Sequence, residues 1–251
     1  MKKQYYNEIF KRKSFHLFRG IGNEKLSPSE LDGIKSAYEG FEKLYPGIKT
    51  EIRIVPAAEA HFKHGAEYCI LIYSEKKENY LMNAGFIGQQ LDLYLVQNNI
   101  ASLWCGLSKP DELTLDGLSY VIMIAIAKLP DDGKFRKDMF SAKRKPLSEI
   151  WSGDDLGIAD IARFAPSACN SQPWLTENSG DELTVCRIKK PGRVGIMPPS
   201  AAFYFNRIDI GIYLCILEIC MEQNGIDFER TLFPDTVDER KNKVAVYKIN
   251  R

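Results

Sequence analysis

The sequence predicts an α+β protein in which one polypeptide carries two related halves, each a mainly antiparallel sheet beside a long central helix. Three observations predict it. Residues 85–100, GFIGQQLDLYLVQNNI, are echoed 126 positions later by residues 211–226, GIYLCILEICMEQNGI. Gly85 meets Gly211, Leu91 meets Leu217, Asp92 meets Glu218, and Gln97-Asn98 meets Gln223-Asn224. Similar elements flank the two segments in a similar order. Finally, 251 residues with 45% hydrophobic content suffice for a large core.

Each element follows from local chemistry. SPSELDGIKSAYEGFEKL (27–44) reads as a helix: Ser27 is an N-cap, Pro28 suits the first turn, Glu30 completes a capping box, and Pro46-Gly47 ends it. TEIRIV (50–55) and EYCILIYS (67–74) are β-branched and apolar enough for strands. The two echoed segments are apolar on most faces and end in Asn or Gly, so each predicts a buried helix. YVIMIAIAK (120–128) and KVAVYKI (243–249) are the strands that follow them. In the second half, GDDLGIADIARFA (153–165) predicts a helix with an acidic first turn that stops at Pro166. ELTVCRI (182–188) and SAAFYFN (200–206) predict strands ahead of the second long helix. A polar, charged linker around 130–155 separates the halves, assigned as 1–150 and 151–251.

Composition narrows the function. Thirty-four Lys and Arg against 33 Asp and Glu leave a net charge of +1, so a nucleic-acid partner is not expected. No apolar run approaches the roughly 20 residues of a spanning helix, and the N-terminus lacks a secretory pattern. The expectation is a cytoplasmic protein with no membrane partner. Six cysteines without a CxxC pair read as reduced core thiols. His61 and His64 are better read as solvated than as metal ligands, and neither GxGxxG nor GxxxxGK[ST] occurs.

Three segments carry chemistry. KRKSFHLF (11–18) gathers Arg12, Lys13, Ser14 and His16 near a helix, a donor set that suits a phosphate. SAKRKPLSEIW (141–151) supplies a second basic cluster at Lys143, Arg144 and Lys145. APSACNSQPW (165–174) places Ser167, Asn170 and Gln172 among small residues, so that backbone and amides can approach a flat heteroaromatic ring.

Together these segments resemble the FMN-dependent nitroreductases. RKSFHLF is similar to their N-terminal Arg-Arg/His-Ser-x-Arg/Lys-x-Phe signature, and APSACNSQPW to their Ala-Pro-Ser-x-x-Asn-x-Gln-Pro-Trp motif. KRKPLSEI resembles their late basic segment, and IASLWCGL (100–107) the stretch after the central helix that runs beside the isoalloxazine ring. The motif order departs from the usual one: the Ala-Pro-Ser motif opens the second half, and LYPGIKTEIRIV stands in its place in the first. That arrangement resembles single-chain members in which one polypeptide mimics the family homodimer.

The resemblance implies a nitroreductase-like fold and one FMN per chain, bound between the halves of a monomer. Arg12, Lys13, Ser14 and His16 would hold the phosphate and ribityl end, with His16 where a second cation is usual. Lys143 and Arg144 would add to the phosphate site. Pro166, Ser167, Ala168, Asn170 and Gln172 would reach the flavin from the other half, and Trp104, Cys105, Gly106 and Leu107 would line its ring, a backbone N–H facing N5. It implies electron transfer from NAD(P)H through FMN to a flat small-molecule acceptor such as a nitroaromatic or quinone, with no catalytic side chain. The alternatives are an FMN store or sensor without turnover, and a cofactor-less interaction module.

Overall fold

The strand-forming runs pair into two separate five-stranded sheets in a computed structural model that describes residues 2–189, 192, 195–235 and 239–250. In the first half, β1 (Thr50–Pro56), β2 (Tyr68–Ser74), β3 (Ile100–Cys105), β4 (Thr114–Leu115) and β5 (Leu118–Lys128) form an antiparallel sheet in the order β1-β2-β5-β3, with β4 turning back on β5. In the second, β6 (Trp151–Ser152), β7 (Trp174–Asn178), β8 (Glu182–Ile188), β9 (Asp227–Leu232) and β10 (Lys241–Asn250) stand in the order β6-β7-β8-β10-β9. All of these pairs are antiparallel except β6 with β7. Without the short β4 and β6, both sheets have the same order, and a long helix joins the second strand to the third in each.

The helices are α1 (Tyr6–Lys11), α2 (Pro28–Glu39), α3 (Tyr80–Gln97), the single turn α4 (Ala159–Ala162) and α5 (Pro199–Gln223). Ser27 caps α2 as its sequence predicts: the Glu30 amide donates to Ser27 Oγ at 3.3 Å, and the Ser27 amide donates to Glu30 Oε2 at 2.9 Å. α3 is buried from Leu81 to Leu93 and α5 from Ile208 to Met221, as helices apolar all round must be. They pack on each other at the centre of the molecule.

The crossing is reciprocal. A Cβ on Gly85 would lie 2.1 Å from the Ile208 carbonyl oxygen, and one on Gly211 would lie 1.9 Å from that of Met82. Gly211 and Ile208 follow Gly85 and Met82, respectively, by 126 positions. Only glycine permits this backbone approach. The pattern, i on j and j on i, is that of a contact across a two-fold axis.

Two expectations fail here. SAAFYFN (200–206) is the start of α5, not a strand. Pro199 sits in the helix's first turn, and Ala201, Tyr204, Phe205, Ile208, Asp209 and Ile212 then recur at helical spacing, a period the aromatic content obscures. The strand ahead of β8 is instead β7, and β8 occupies the position of β2. The helix expected over 153–165 is only the turn α4, bracketed by left-handed Leu156 and Gly157 and by Pro166. The N-terminus reaches across to the other half. Lys2 is buried, pairing with Glu42 and with Glu218 (3.2 Å) and Glu222 (3.0 Å) of α5.

Candidate functional site

A cavity of about 950 Å³ opens between the first sheet and α5, at the upper end of the roughly 300–1,000 Å³ common for small-molecule sites. The first half contributes Arg12, Ser14 and His16, the end of β3 with the turn beyond it, and the start of β5. The second half contributes the 166–169 loop and one face of α5. Its walls are aromatic and aliphatic: Phe62, Tyr120, Tyr204, Phe205, Ile208 and Met197. Tyr204 ties the halves together by donating to the Val121 carbonyl at 2.7 Å. The Tyr120 hydroxyl, by contrast, is buried with no hydrogen-bond partner among the described residues.

At one end, cations crowd together. Arg12 is buried and donates through Nε to Asp92 Oδ2 at 2.6 Å, and its Nη2 reaches Ser14 Oγ at 3.3 Å. Asp92, on α3, also accepts from the Ser102 hydroxyl and from Trp104 Nε1 at 3.2 Å. One carboxylate therefore fixes both Arg12 and the Trp104 indole. Burial and the nearby charges of Arg12, Arg136 and Arg163 push Arg144 down to about 10. Burial and Arg12 lower Arg136, while burial, Arg136 and Lys134 lower Lys13. Arg144 Nε is buried without a hydrogen-bond partner among the described residues. Like charges held this close raise one another's energy, and an anion placed among them would relieve it.

The loop at 165–172 is strained and braced. Cys169, Asn170 and Gln172 all have left-handed backbones, with φ of 50°, 54° and 47°. Asn tolerates this, but each of the others costs on the order of 1 kcal/mol or more. The basic segment holds the loop in place. Arg144 donates to Asn170 Oδ1 (3.2 Å) and the Phe164 carbonyl (3.0 Å), and Lys145 Nζ donates to the Gln172 carbonyl (2.7 Å). From below, Asp209 of α5 accepts the Ala168 amide (2.9 Å) and the Ser171 hydroxyl (3.2 Å).

Ten of the fifteen residues singled out from sequence line the cavity: Arg12, Ser14, His16, Trp104, Cys105, Gly106, Leu107, Pro166, Ser167 and Ala168. Five do not. Lys13 lies over the Phe15 ring, its Nζ 4.7 Å from the centroid. Lys143 engages the loop through its carbonyl, which accepts from Asn170 Nδ2 at 3.0 Å. Arg144, Asn170 and Gln172 brace the loop from outside the cavity. Gly106 has a concrete reason to be glycine: a Cβ there would lie 2.4 Å from the Phe205 ring.

The family model described as "Putative TM nitroreductase" matches residues 4–221. The chain belongs to this nitroreductase family. Its fold resembles that of a Thermotoga maritima protein titled a "putative nitroreductase": 19% identity, TM-score 0.61, covering 98% of this chain and 94% of that one. Two further solved structures align over little more than half of this chain. A Clostridium difficile nitroreductase family protein shares 14% identity over 58% of this chain and 94% of its own, TM-score 0.45. A Desulfovibrio desulfuricans protein titled a "putative nitroreductase" in complex with FMN shares 18% over 59% of this chain and 93% of its own, TM-score 0.41. No curated protein matches the chain. Among the described residues no helix is long and apolar enough to cross a membrane.

Sequence reasoning misses several residues in and beside this candidate site. Nothing local marks out Arg136 in the charged linker; its place depends on the Arg136 amide donating to the Lys11 carbonyl at 2.8 Å. Tyr204, Phe205 and Asp209 carry a legible signal, the helical spacing of residues 201–212, which the strand assignment hides.

Proposed function

We propose that the chain is an FMN-dependent oxidoreductase that passes electrons from NAD(P)H to a flat small-molecule oxidant, a nitroaromatic or quinone. The observation that carries this reading is the cavity built from both halves, with Arg12 in its lining, Arg136 and Arg144 crowded beside Arg12, and aromatic walls along its length. Membership of the nitroreductase family supports it.

The residues fit the cofactor. Arg12, positioned by Asp92, would bind the phosphate together with Ser14, His16, Arg136 and Arg144. Crowded cations, with a buried Nε unpartnered among the described residues, are the donor set a dianion satisfies. Trp104, Cys105, Gly106 and Leu107 would run along the ring, and Pro166, Ser167 and Ala168 would meet it from the other half. A flavin held there would supply two-electron redox chemistry between the nicotinamide and the acceptor. The protein's part is to orient and to exclude water, which Phe62, Tyr204 and Phe205 do by walling the cavity. Backbone donors and cations stabilise negative charge that develops there.

The repeated strand order and the reciprocal glycine contact support a second element of the proposal: the chain is an intramolecular pseudo-dimer, divided near residue 150, and acts as a cytoplasmic monomer. A charge network of Lys2, Glu42, Glu218 and Arg230 surrounds α5 at the position related to Asp92, so a second flavin is not expected there.

The deciding experiment is an absorption spectrum of freshly purified protein, then heat release and mass analysis of the ligand. About one FMN per chain, with NADH or NADPH oxidation stimulated by a nitroaromatic or quinone, is the expected result. Protein that is colourless and takes up no FMN overturns the reading. Flavin bound without turnover would make it a store or sensor instead.

A further inference from the structure

The two halves hold equivalent loops with the same bond but with different chemistry at its acceptor. In the first half Asn83 Oδ1, on α3, accepts the Tyr45 amide at 2.9 Å. In the second, Asp209 Oδ1, on α5, accepts the Ala168 amide at 2.9 Å. Asp209 follows Asn83 by 126 positions, the offset that relates Gly85 to Gly211. A neutral amide therefore holds the loop of the half that lacks the Ala-Pro-Ser motif. An ionisable carboxyl holds the loop that faces the cavity.

The surroundings make that carboxyl responsive. Asp209 is 3% exposed and lines the cavity. Burial pushes it up to about 7, offset in part by the Ala168 amide and the Ser171 hydroxyl, and among the described residues no charged neighbour contributes. The charged groups on the elements packed around it are engaged elsewhere. Asp92 of α3 binds Arg12, Arg207 of α5 is directed to Asp235 at 3.9 Å, and Glu218 of α5 binds Arg230 and Lys2. In the loop, Arg144 is bound to Asn170 and Phe164. The other titratable groups along the cavity are Arg12, His16, His64, Lys76, Lys109, Cys105, Cys169, Tyr120 and Tyr204.

We propose that Asp209 is a positioning residue whose charge state sets how firmly the 166–171 loop is held, and through it, on the flavin reading above, how tightly the cofactor binds. The ionised carboxylate accepts charge-assisted bonds from Ala168 and Ser171, and these hold three left-handed residues in a strained turn. Opening releases the Ala168 and Ser171 donors while the carboxyl stays buried on α5. Losing the two bonds that lower its pKa makes the carboxyl bind the proton more tightly when the loop is open, so protonation, together with the strain, favours opening. Asn83, which cannot ionise, holds its loop independently of pH.

The test begins on cofactor-free protein, by hydrogen exchange of the Ala168 amide corrected for its intrinsic rate. Protection should rise about fivefold to tenfold between roughly pH 6 and pH 8.5 in the wild type and stay level in Asp209→Asn. Tyr45 should be level in both. Ser171→Ala removes a bond that favours the carboxylate, so it should move the rise to higher pH; this arm stands even if Asp209→Asn folds poorly. A wild-type profile without the rise, or the same rise in Asp209→Asn, overturns the proposal. FMN titration then tests the coupling: the ratio of dissociation constants, Asp209→Asn over wild type, should grow over the same interval. The comparison cancels the titration of the FMN phosphate and of every group common to both proteins. A level ratio overturns the link to binding. Wild type that shows the exchange profile but binds no FMN at any pH overturns the flavin reading and leaves the clamp standing.

Discussion

Gly85 of α3 and Gly211 of α5 make the same backbone contact in opposite senses, the first against Ile208 and the second against Met82. Neither helix can yield, because each is buried along the length of the crossing. Gly85→Ala and Gly211→Ala should therefore destabilise the protein to similar degrees, by about 3 kcal/mol or more each, an overpacking cost with no side-chain rotamer to relieve it. Gly47, where a Cβ would meet nothing within 4 Å, is the control, and Gly47→Ala should change little. Chemical denaturation of the three variants checks this. Unequal effects would mean that the two contacts are not mechanically equivalent.

Crowding of Arg12, Arg136 and Arg144 carries a second expectation. An anion that binds only the folded protein raises its apparent stability. Phosphate or sulfate at millimolar concentration should therefore raise the melting temperature of cofactor-free protein more than chloride at equal ionic strength. Arg136→Ala should abolish most of that difference. A thermal shift series with matched ionic strength reads it directly, and identical shifts with all three anions would rule out a specific site.

Arg136 also allows binding to be separated from folding. It is half-buried, depressed by burial and by Arg12, and its side chain makes no hydrogen bond or ion pair among the described residues. Arg136→Ala should weaken FMN binding by about 1.5–3 kcal/mol, the loss of a charge-assisted contact, while stability stays level or rises. Arg12→Ala should weaken binding similarly but also destabilise the fold, by about 3–5 kcal/mol, because it leaves Asp92 buried without its cation. Flavin fluorescence titration and denaturation on both variants distinguish the two.

What is legible in the sequence follows the physics of each signal. The long helices, the capping box at Ser27 and the strands β2, β5 and β10 announce themselves through local composition and period. The 126-residue offset even pairs the glycines that meet, because close helix crossing constrains the residue type. The start of α5 misleads because Phe203, Tyr204 and Phe205 are strand-rich residues in a helix set by its continuation into Ile208–Met221. Within the site, Arg12 and Ser14 can be picked from a local motif. Arg136 cannot, because it is placed by the Lys11 carbonyl; Asp209 shows only as one position of a helical stripe, and its role depends on a loop 41 residues away.

Asn170 offers a test of the site's dependence on both halves. Its side chain accepts from Arg144 and donates to the Lys143 carbonyl, and Gln172 Nε2 reaches it at 3.3 Å. Asn170→Ala removes this bracing and also substitutes a residue less tolerant of φ 54°. FMN affinity should fall about tenfold through loop disorder, with Ser167 and Ala168 still present. Unchanged affinity would show that the loop does not complete the cofactor site.

The carboxyl of Asp209 has a consequence for global stability whose sign can be worked out. Its folded value is raised from 3.8 to about 7. Between these values the folded state holds a proton that the unfolded chain has released, so stability from this group falls as pH rises through the interval and stays low above about 7. Asp209→Asn removes the titration and keeps an acceptor for Ala168. The variant should therefore gain on the wild type as pH rises, by on the order of 2–4 kcal/mol between about pH 4.5 and pH 8. Denaturation midpoints measured across that range give the difference. The loop itself tightens in the wild type over the upper part of the same interval, so global stability and local protection should move in opposite directions. A common trend in both would mean that the loop is held by something other than the carboxylate.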